Sequence, residues 1–292
     1  MRLGYLGPAG TFSEEAALTA ADAGTAELVG LPTVRDTILA VHDGSVDRAI
    51  VPIENSLEGP VGVTLDMLAD DGNDVAIVGE LVLPVTHHLV ARARVERAAI
   101  ERVLSHPQAI SQCARFLREQ VPEAELVPTS STAEAARIAV GHDRWAAIST
   151  LRAAELYDAA VLAEAVEDEP GNATRFVWLA RQAAASGAGE RGGALATGAP
   201  SEPRKTSLMF WGAGDDSPGW LVRCLSEFAF RGVNLTKIES RPLRTQLGHY
   251  RFFVDCEGAA GLEPVAEAVD GLRKHCEEVR ILGSYPPARP PD

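Results

Sequence analysis

The sequence predicts a larger α/β domain followed by a small α+β module of ferredoxin-like order, on three observations. Short apolar runs alternate with alanine-rich helical patterns through residues 1–181, the rhythm of an α/β sheet with mostly parallel strands. Residues 182–204 are rich in Ala, Gly, Ser and Pro and carry no hydrophobic period, which reads as a flexible linker. Residues 205–286 then give strand, helix, strand, strand, helix, strand, the βαββαβ order. A chain of 292 residues is the right length for two such units.

In the first unit the expected strands are 2–6, 27–31, 48–53, 75–83, 102–105, 125–128, 145–149 and 175–179. Each is a short apolar run bounded by Gly, Pro, Ser or charge. The helices between them carry start signals. Thr11 and Glu14 have capping-box spacing, as do Ser131 and Glu134. Pro107 suits a first helical position after His106, and Ser149-Thr150 closes a strand just before an alanine-rich helix. In the second unit the expected strands are 207–211, 234–239, 250–256 and 279–285, with helices near 220–230 and 262–275.

Composition narrows the function classes. The chain is 46% hydrophobic and 23% charged, ordinary globular usage. Its net charge of −14 falls almost wholly before residue 205, a field that disfavours nucleic acid. The longest apolar stretch, 75–90, is broken by Glu80, Pro84, His87 and His88 and is shorter than the ~20 residues of a membrane helix. No signal-peptide core opens the chain, so the expected location is cytoplasmic. Cys113, Cys224, Cys256 and Cys276 have no metal-ligand spacing and read as reduced core residues, and neither a metal nor an organic cofactor is expected. Gly4, Gly7 and Gly10 do not form a dinucleotide fingerprint, and no phosphate-binding loop motif occurs.

Several helix N-termini at strand ends present N–H groups where open α/β sheets bind ligands, which suits a small carboxylate. Residues 53–60 place Glu54, Asn55, Ser56 and Glu58 directly after an apolar strand. The two carboxylates suit either acid–base work or a solvated loop, while Asn55 and Ser56 suit ligand contacts. Residues 171–176 bring Thr174 and Arg175 into the last strand of the unit. Arg175 could clamp a carboxylate in a bidentate pair or pair with the nearby acids 167–169. His106 could titrate usefully or simply start its helix. In the second unit, residues 239–242 end a strand and 219–222 open a helix, so two paired modules could hold an amino acid between them.

The successive runs GPAGTFSEEA (7–16), ENSLEG (54–59), SHPQAISQC (105–113), STAEAA (131–136) and NATRF (172–176) resemble the motifs of prephenate dehydratase. NLTKIESRP (234–242) is similar to that family's C-terminal amino-acid-sensing ACT domain. The resemblance implies conversion of prephenate to phenylpyruvate, water and CO2 in phenylalanine biosynthesis, with no cofactor and no metal. It implies that Thr174 assists departure of the ring hydroxyl, that Arg175 holds a carboxylate and that Phe176 shapes the wall. Thr11, Ser13, Asn55, Ser56 and Gln108 would bind substrate, and Glu58 is a candidate proton relay. The implied fold is a two-lobed, periplasmic-binding-protein-like (type II) α/β domain over residues 1–181. One lobe would hold about 1–75 plus 155–181 and the other 76–154, with a linker at 182–204 and the ACT domain at 205–286.

By the same resemblance, Gly219, Leu221, Val222, Glu239, Ser240, Arg241 and Pro242 would bind L-phenylalanine as a feedback effector between paired modules of a homodimer or homotetramer. Trp220 departs from the family pattern and could fill part of that pocket. The fused chorismate mutase of some relatives is not expected, since the first strand opens the chain. Two other activities would use the same residues: arogenate dehydratase, and a non-catalytic amino-acid sensor.

Overall fold

The computed structural model describes residues 1–20, 26–70, 74–182, 203–212, 217–245 and 247–288. The linker expected at 182–204 lies, apart from 182, 203 and 204, outside the described residues. Three sheets organise the chain.

The first sheet has the order β2-β1-β3-β11-β5, from β1 (Arg2–Leu6), β2 (Glu27–Leu31), β3 (Arg48–Asn55), β5 (Val75–Pro84) and β11 (Ala173–Arg181), with the two-residue β4 (Gly59–Pro60) beside β3. One face buries Leu3, Tyr5, Ile50 and Phe176 against Ala16 and Ala17 of α1 (Phe12–Ala20). The other packs Val51, Ile77, Val177 and Leu179 against α2 (Val34–Asp43) and α3 (Gly62–Leu68).

The second sheet has the order β10-β6-β9-β7-β8, from β6 (His88–Ala91), β7 (Arg102–Ser105), β8 (Glu125–Pro128), β9 (Trp145–Ser149) and β10 (Ala160–Ala163). One face buries Ala109 of α4 (Pro107–Gln112), Leu117 of α5 (Ala114–Gln120) and Cys113 between them. The other buries alanines of α6 (Thr132–Ala139) and α7 (Leu151–Leu156). Alanine at these positions lets helices sit close on the strands, which explains the alanine-rich composition of the helical patterns.

Sheet membership corrects the lobe limits read from the sequence. All of β5 belongs to the first sheet and β10 to the second, so the chain changes sheets between Pro84 and His88 and again between Ala163 and Ala173, rather than near 75 and 155. The sheets are also mixed rather than mostly parallel. β1–β2, β1–β3, β7–β8 and β7–β9 run parallel, whereas β11 is antiparallel to β3 and β5, and β6 is antiparallel to β9 and β10. β11 returns from the other lobe and inserts between two strands of the first, a direction that local hydrophobicity does not encode.

The third sheet has the order β13-β14-β12-β15, from β12 (Lys205–Trp211), β13 (Leu235–Pro242), β14 (Tyr250–Glu257) and β15 (Glu278–Tyr285), all antiparallel. With α8 (Trp220–Ala229) and α9 (Val265–Leu272) on one face it completes the βαββαβ module. Trp220 points inward: it is buried against Phe210 and Phe252, and its indole N–H donates to His275 O at 2.7 Å. The opposite face adds Met209, Phe253, Leu282 and Tyr285 to the core of the first lobe. None of the four cysteines is in a disulfide; Cys224 and Cys276, distant in sequence, bring their Sγ atoms to 3.7 Å.

Candidate active site

A cavity of about 250 Å³ opens between the two lobes. The first lobe supplies Phe12, Asn55 and Thr174, the second His106, Gln108, Gln112 and the 130–132 turn, and the crossing segments add Val85, His87 and Asn172. Strand register sets the central pair. Thr174 of β11 lies opposite Asn55 of β3, so both side chains share the cleft face.

Asn55 Nδ2 donates towards Asn172 Oδ1 at 2.8 Å, Thr174 Oγ1 at 3.0 Å and Ala173 O at 3.2 Å. Its Oδ1 accepts from the backbone N–H of Leu57 and Glu58, which fixes the amide's orientation. Thr174 Oγ1 is thereby an acceptor for Asn55, and its own proton is left to donate elsewhere. Asn172 Nδ2 reaches Gln112 Oε1 at 3.3 Å, the same oxygen lies 3.0 Å from His87 Nε2, and Gln112 Nε2 reaches Glu58 Oε1 at 3.3 Å. One polar chain thus crosses the cleft from Thr174 to Glu58.

His87 is buried, and burial lowers its pKa, against the opposing influence of Gln112 and Glu167, so the ring is neutral near pH 7. Because Gln112 Oε1 accepts, the ring proton sits on Nε2, and the buried Nδ1 has no hydrogen-bond partner. No Lys or Arg is among the described residues lining the cavity. Anions would be held by amides, hydroxyls and the starts of α4 and α6, where His106 Nδ1 caps Gln108 N at 3.3 Å and Ser131 Oγ caps Glu134 N at 3.0 Å.

Of the residues singled out from sequence, Thr174, Asn55 and Gln108 line this cavity. Ser56 does not line the cavity but supports its wall, its Oγ accepting from Ala173 N at 2.9 Å and donating to Asn172 Oδ1 at 3.3 Å. Thr11 holds its own loop instead, donating to Leu6 O and Pro8 O and capping α1. Ser13 is buried in α1.

Arg175 does not face the cleft, which corrects the carboxylate clamp expected for it. It follows Thr174 in an extended strand and so points through the other face, where it meets Glu80 at 2.7 Å, Asp255 at 2.6 Å and Tyr285 Oη at 3.0 Å. The neighbouring acids 167–169 are not its partners among these contacts. Phe176 returns to the cleft side of the strand but lies beneath it, 2% exposed in the core with Leu3 and Tyr5, so it supports the wall without forming it. Glu58 is exposed and separated from Thr174 by amide side chains, which hydrogen-bond but do not carry protons, so the relay expected of it has no direct path.

His87, Gln112 and Asn172 were not singled out. Gln112 had a signal: it lies four residues after Gln108, hence on the same face of α4. Asn172 lies within the NATRF run, and His87 carried no local signal beyond interrupting an apolar stretch.

A second cavity, about 490 Å³, lies on the C-terminal module and is lined by Gly219, Leu221 and Val222 together with Tyr250 and Phe252. Gly219 precedes α8 at φ +79°, a left-handed conformation that favours glycine. Glu239, Ser240, Arg241 and Pro242 do not line it within one chain. They end the edge strand β13, and Arg241 is turned to α3, its Nε and Nη2 on Asp66 at 3.1 and 2.9 Å.

Two α/β lobes flanking an amide- and hydroxyl-lined cleft, with a ferredoxin-like module on the back of one lobe, define a two-lobed cleft protein with an appended small α+β domain. The chain belongs to the prephenate dehydratase family: that family's model matches residues 3–184. It is 40% identical to the prephenate dehydratase of Mycolicibacterium gilvum over 97% of this chain and 90% of that protein. Among solved structures it is similar to the prephenate dehydratase of Arthrobacter aurescens in complex with L-Phe, at 38% identity, TM-score 0.85, and coverage of 98% of this chain and 90% of that one. It is also similar to GqqA, described as a novel type of quorum quenching acylase, at 30% identity and TM-score 0.82 over 99% of each chain.

Proposed function

We propose that the cleft converts prephenate to phenylpyruvate with Thr174 assisting the leaving group. The observation that carries this reading is the Asn55 Nδ2–Thr174 Oγ1 bond of 3.0 Å in the cavity wall, which turns the threonine proton away from Asn55. A threonine hydroxyl is a hydrogen-bond donor rather than a strong acid. Its role is to stabilise the negative charge that develops on the departing ring oxygen.

As the C–O bond breaks, the electron pair of the bond to the ring carboxylate enters the ring, CO2 leaves and the ring becomes aromatic. The hydroxide departs as water after taking up one proton, supplied from solvent. Gain of aromaticity drives the step, so positioning and leaving-group stabilisation are what the protein must provide. With no Lys or Arg among the described lining residues, the substrate carboxylates are held by Gln108, Asn172 and the turn 130–132. A neutral His87 keeps Gln112 in place.

Feedback by L-phenylalanine is proposed at the module cavity, with residues 239–242 of a second copy completing it in a homodimer or homotetramer. Val222, Phe230 and Ile238 are apolar module side chains left 66%, 86% and 49% exposed in the single chain, as a contact with a second copy would require. The test is phenylpyruvate formation from prephenate by the purified chain, with and without L-phenylalanine, after subtraction of spontaneous breakdown, together with sedimentation to read the assembly. Turnover that L-phenylalanine suppresses supports both parts. No turnover above background overturns the catalytic reading, and turnover indifferent to L-phenylalanine overturns the regulatory one.

A further inference from the structure

The two residues that make the central pair of the cleft have neighbours held by the other domain. In register, Thr174 pairs with Asn55 and Arg175 with Glu54, so one pair faces the cleft and the next pair faces the back of the sheet. On that back face the C-terminal module takes hold of both. Lys237 Nζ lies 2.9 Å from Glu54 Oε2, and Asp255 Oδ2 and Tyr285 Oη lie 2.6 and 3.0 Å from the Arg175 guanidinium. Asp255 and Tyr285 are themselves fixed by Ser207 Oγ, 2.5 Å from each, and Lys205 holds Glu80, another partner of Arg175, at 2.7 Å.

The side chains of Lys237, Asp255 and Arg175 are 9%, 7% and 11% exposed, while that of Glu54 is 37% exposed. Charged pairs removed from water tolerate little change of geometry, because each lost contact leaves a buried charge uncompensated. A shift of the module relative to the first lobe is therefore transmitted to Glu54 and Arg175, and one residue along each strand to Asn55 and Thr174.

We propose that Lys237 and Asp255 are positioning residues for the reaction, holding the Asn55–Thr174 pair in its catalytic geometry from behind the sheet. The proposal rests on the reading of the cleft as the prephenate site. It makes the module a structural part of the active site as well as a candidate effector domain, and it explains why Arg175 faces away from the cleft.

The experiment compares kcat and KM for prephenate in Lys237→Gln, Lys237→Arg, Asp255→Asn and Arg280→Gln, each assayed well below its own Tm. Arg280 serves as the docking control, since it joins the module to the end of α3 through Ala69 O and Asp70 O. The expected result is a fall in kcat of tenfold or more in Lys237→Gln and Asp255→Asn with KM within about threefold, restored by Lys237→Arg and absent in Arg280→Gln. Unchanged kcat in Lys237→Gln and Asp255→Asn, an equal fall in Arg280→Gln, or failure of Lys237→Arg to restore the rate would overturn the proposal. Absence of turnover in the unsubstituted protein would instead overturn the reading of the cleft itself.

Discussion

At the scale of single residues, one strand shows how far sequence carries and where it stops. Residues 173–176 are recognisable as a motif, and the strand that carries them is legible as an apolar run. The direction of each side chain depends on what lies on either side of the sheet. Thr174 faces the cleft because Asn55 is its cross-strand partner, while Arg175 faces the module, whose position no local pattern reveals. Burial alone would lower the pKa of Arg175, but Asp255 and Glu80 reverse this and hold it charged, so it serves as a fixed cation in the fold. Asn55→Asp keeps the acceptor for Leu57 and Glu58 N–H but removes the donor to Thr174, Asn172 Oδ1 and Ala173 O. It should lower kcat for prephenate by about tenfold or more, since one such hydrogen bond alone is worth about that.

The two buried histidines make a pH prediction. Burial lowers the pKa of both His87 and His88 in the folded chain, below the ~6.5 of an unfolded histidine. Above that value neither state is protonated and the histidines do not weaken the fold. As pH falls through ~6.5 the unfolded chain takes up protons that the folded chain refuses, so stability falls. Thermal denaturation at pH 7.5 and 5.5 should show a smaller loss of Tm for His87→Gln than for the unsubstituted chain; equal losses would contradict a neutral, buried His87.

At the scale of elements, the caps were the most legible feature, and they proved to do more than start helices. Thr150 caps α7 by accepting from Ala153 N at 2.9 Å, and its Oγ1 donates to Gly10 O at 2.7 Å, tying the loop before α1 to the second lobe. Thr150→Ala removes a cap worth about 1 kcal/mol and leaves a buried carbonyl without its donor. Tm should fall by several degrees in calorimetry. The Thr11–Glu14 box forms in altered shape: Glu14 reaches back to Gly10 N at 2.8 Å and is also held by Arg152 at 3.1 Å. β6 and β10 were not legible in the local pattern, although β7 and β8, equally short, were. β6 begins at a histidine that looks like a break in an apolar run, and all four of its residues are buried by neighbours from elsewhere in the chain.

At the scale of the whole molecule, the C-terminal module shares a core with the first lobe instead of hanging from a linker. β15 lies along β5, and Gly283 sits so close to the Ile77 carbonyl that a Cβ there would collide with backbone on the opposite side. Backbone cannot swing aside as a side chain can. Gly283→Ala should therefore pry the module from the lobe, lowering Tm and speeding limited proteolysis between the two units. Undiminished docking would contradict the shared core. Four module arginines reinforce the contact at α3: Arg241 and Arg244 on Asp66, Arg251 and Arg280 on Ala69 O at the helix end, where the dipole favours positive charge. None of this docking is visible in the sequence order, since the contacts join residues far apart in the chain.

The central claim is that Thr174, oriented by Asn55, is the group that assists loss of the ring hydroxyl. The most direct measurement is kcat/KM for prephenate in Thr174→Ala and Thr174→Ser beside the unsubstituted protein. The account predicts a loss of about 10²–10⁴-fold in Thr174→Ala, carried by kcat, and substantial recovery in Thr174→Ser, which keeps the hydroxyl. Turnover in Thr174→Ala within a few-fold of the unsubstituted protein would contradict it.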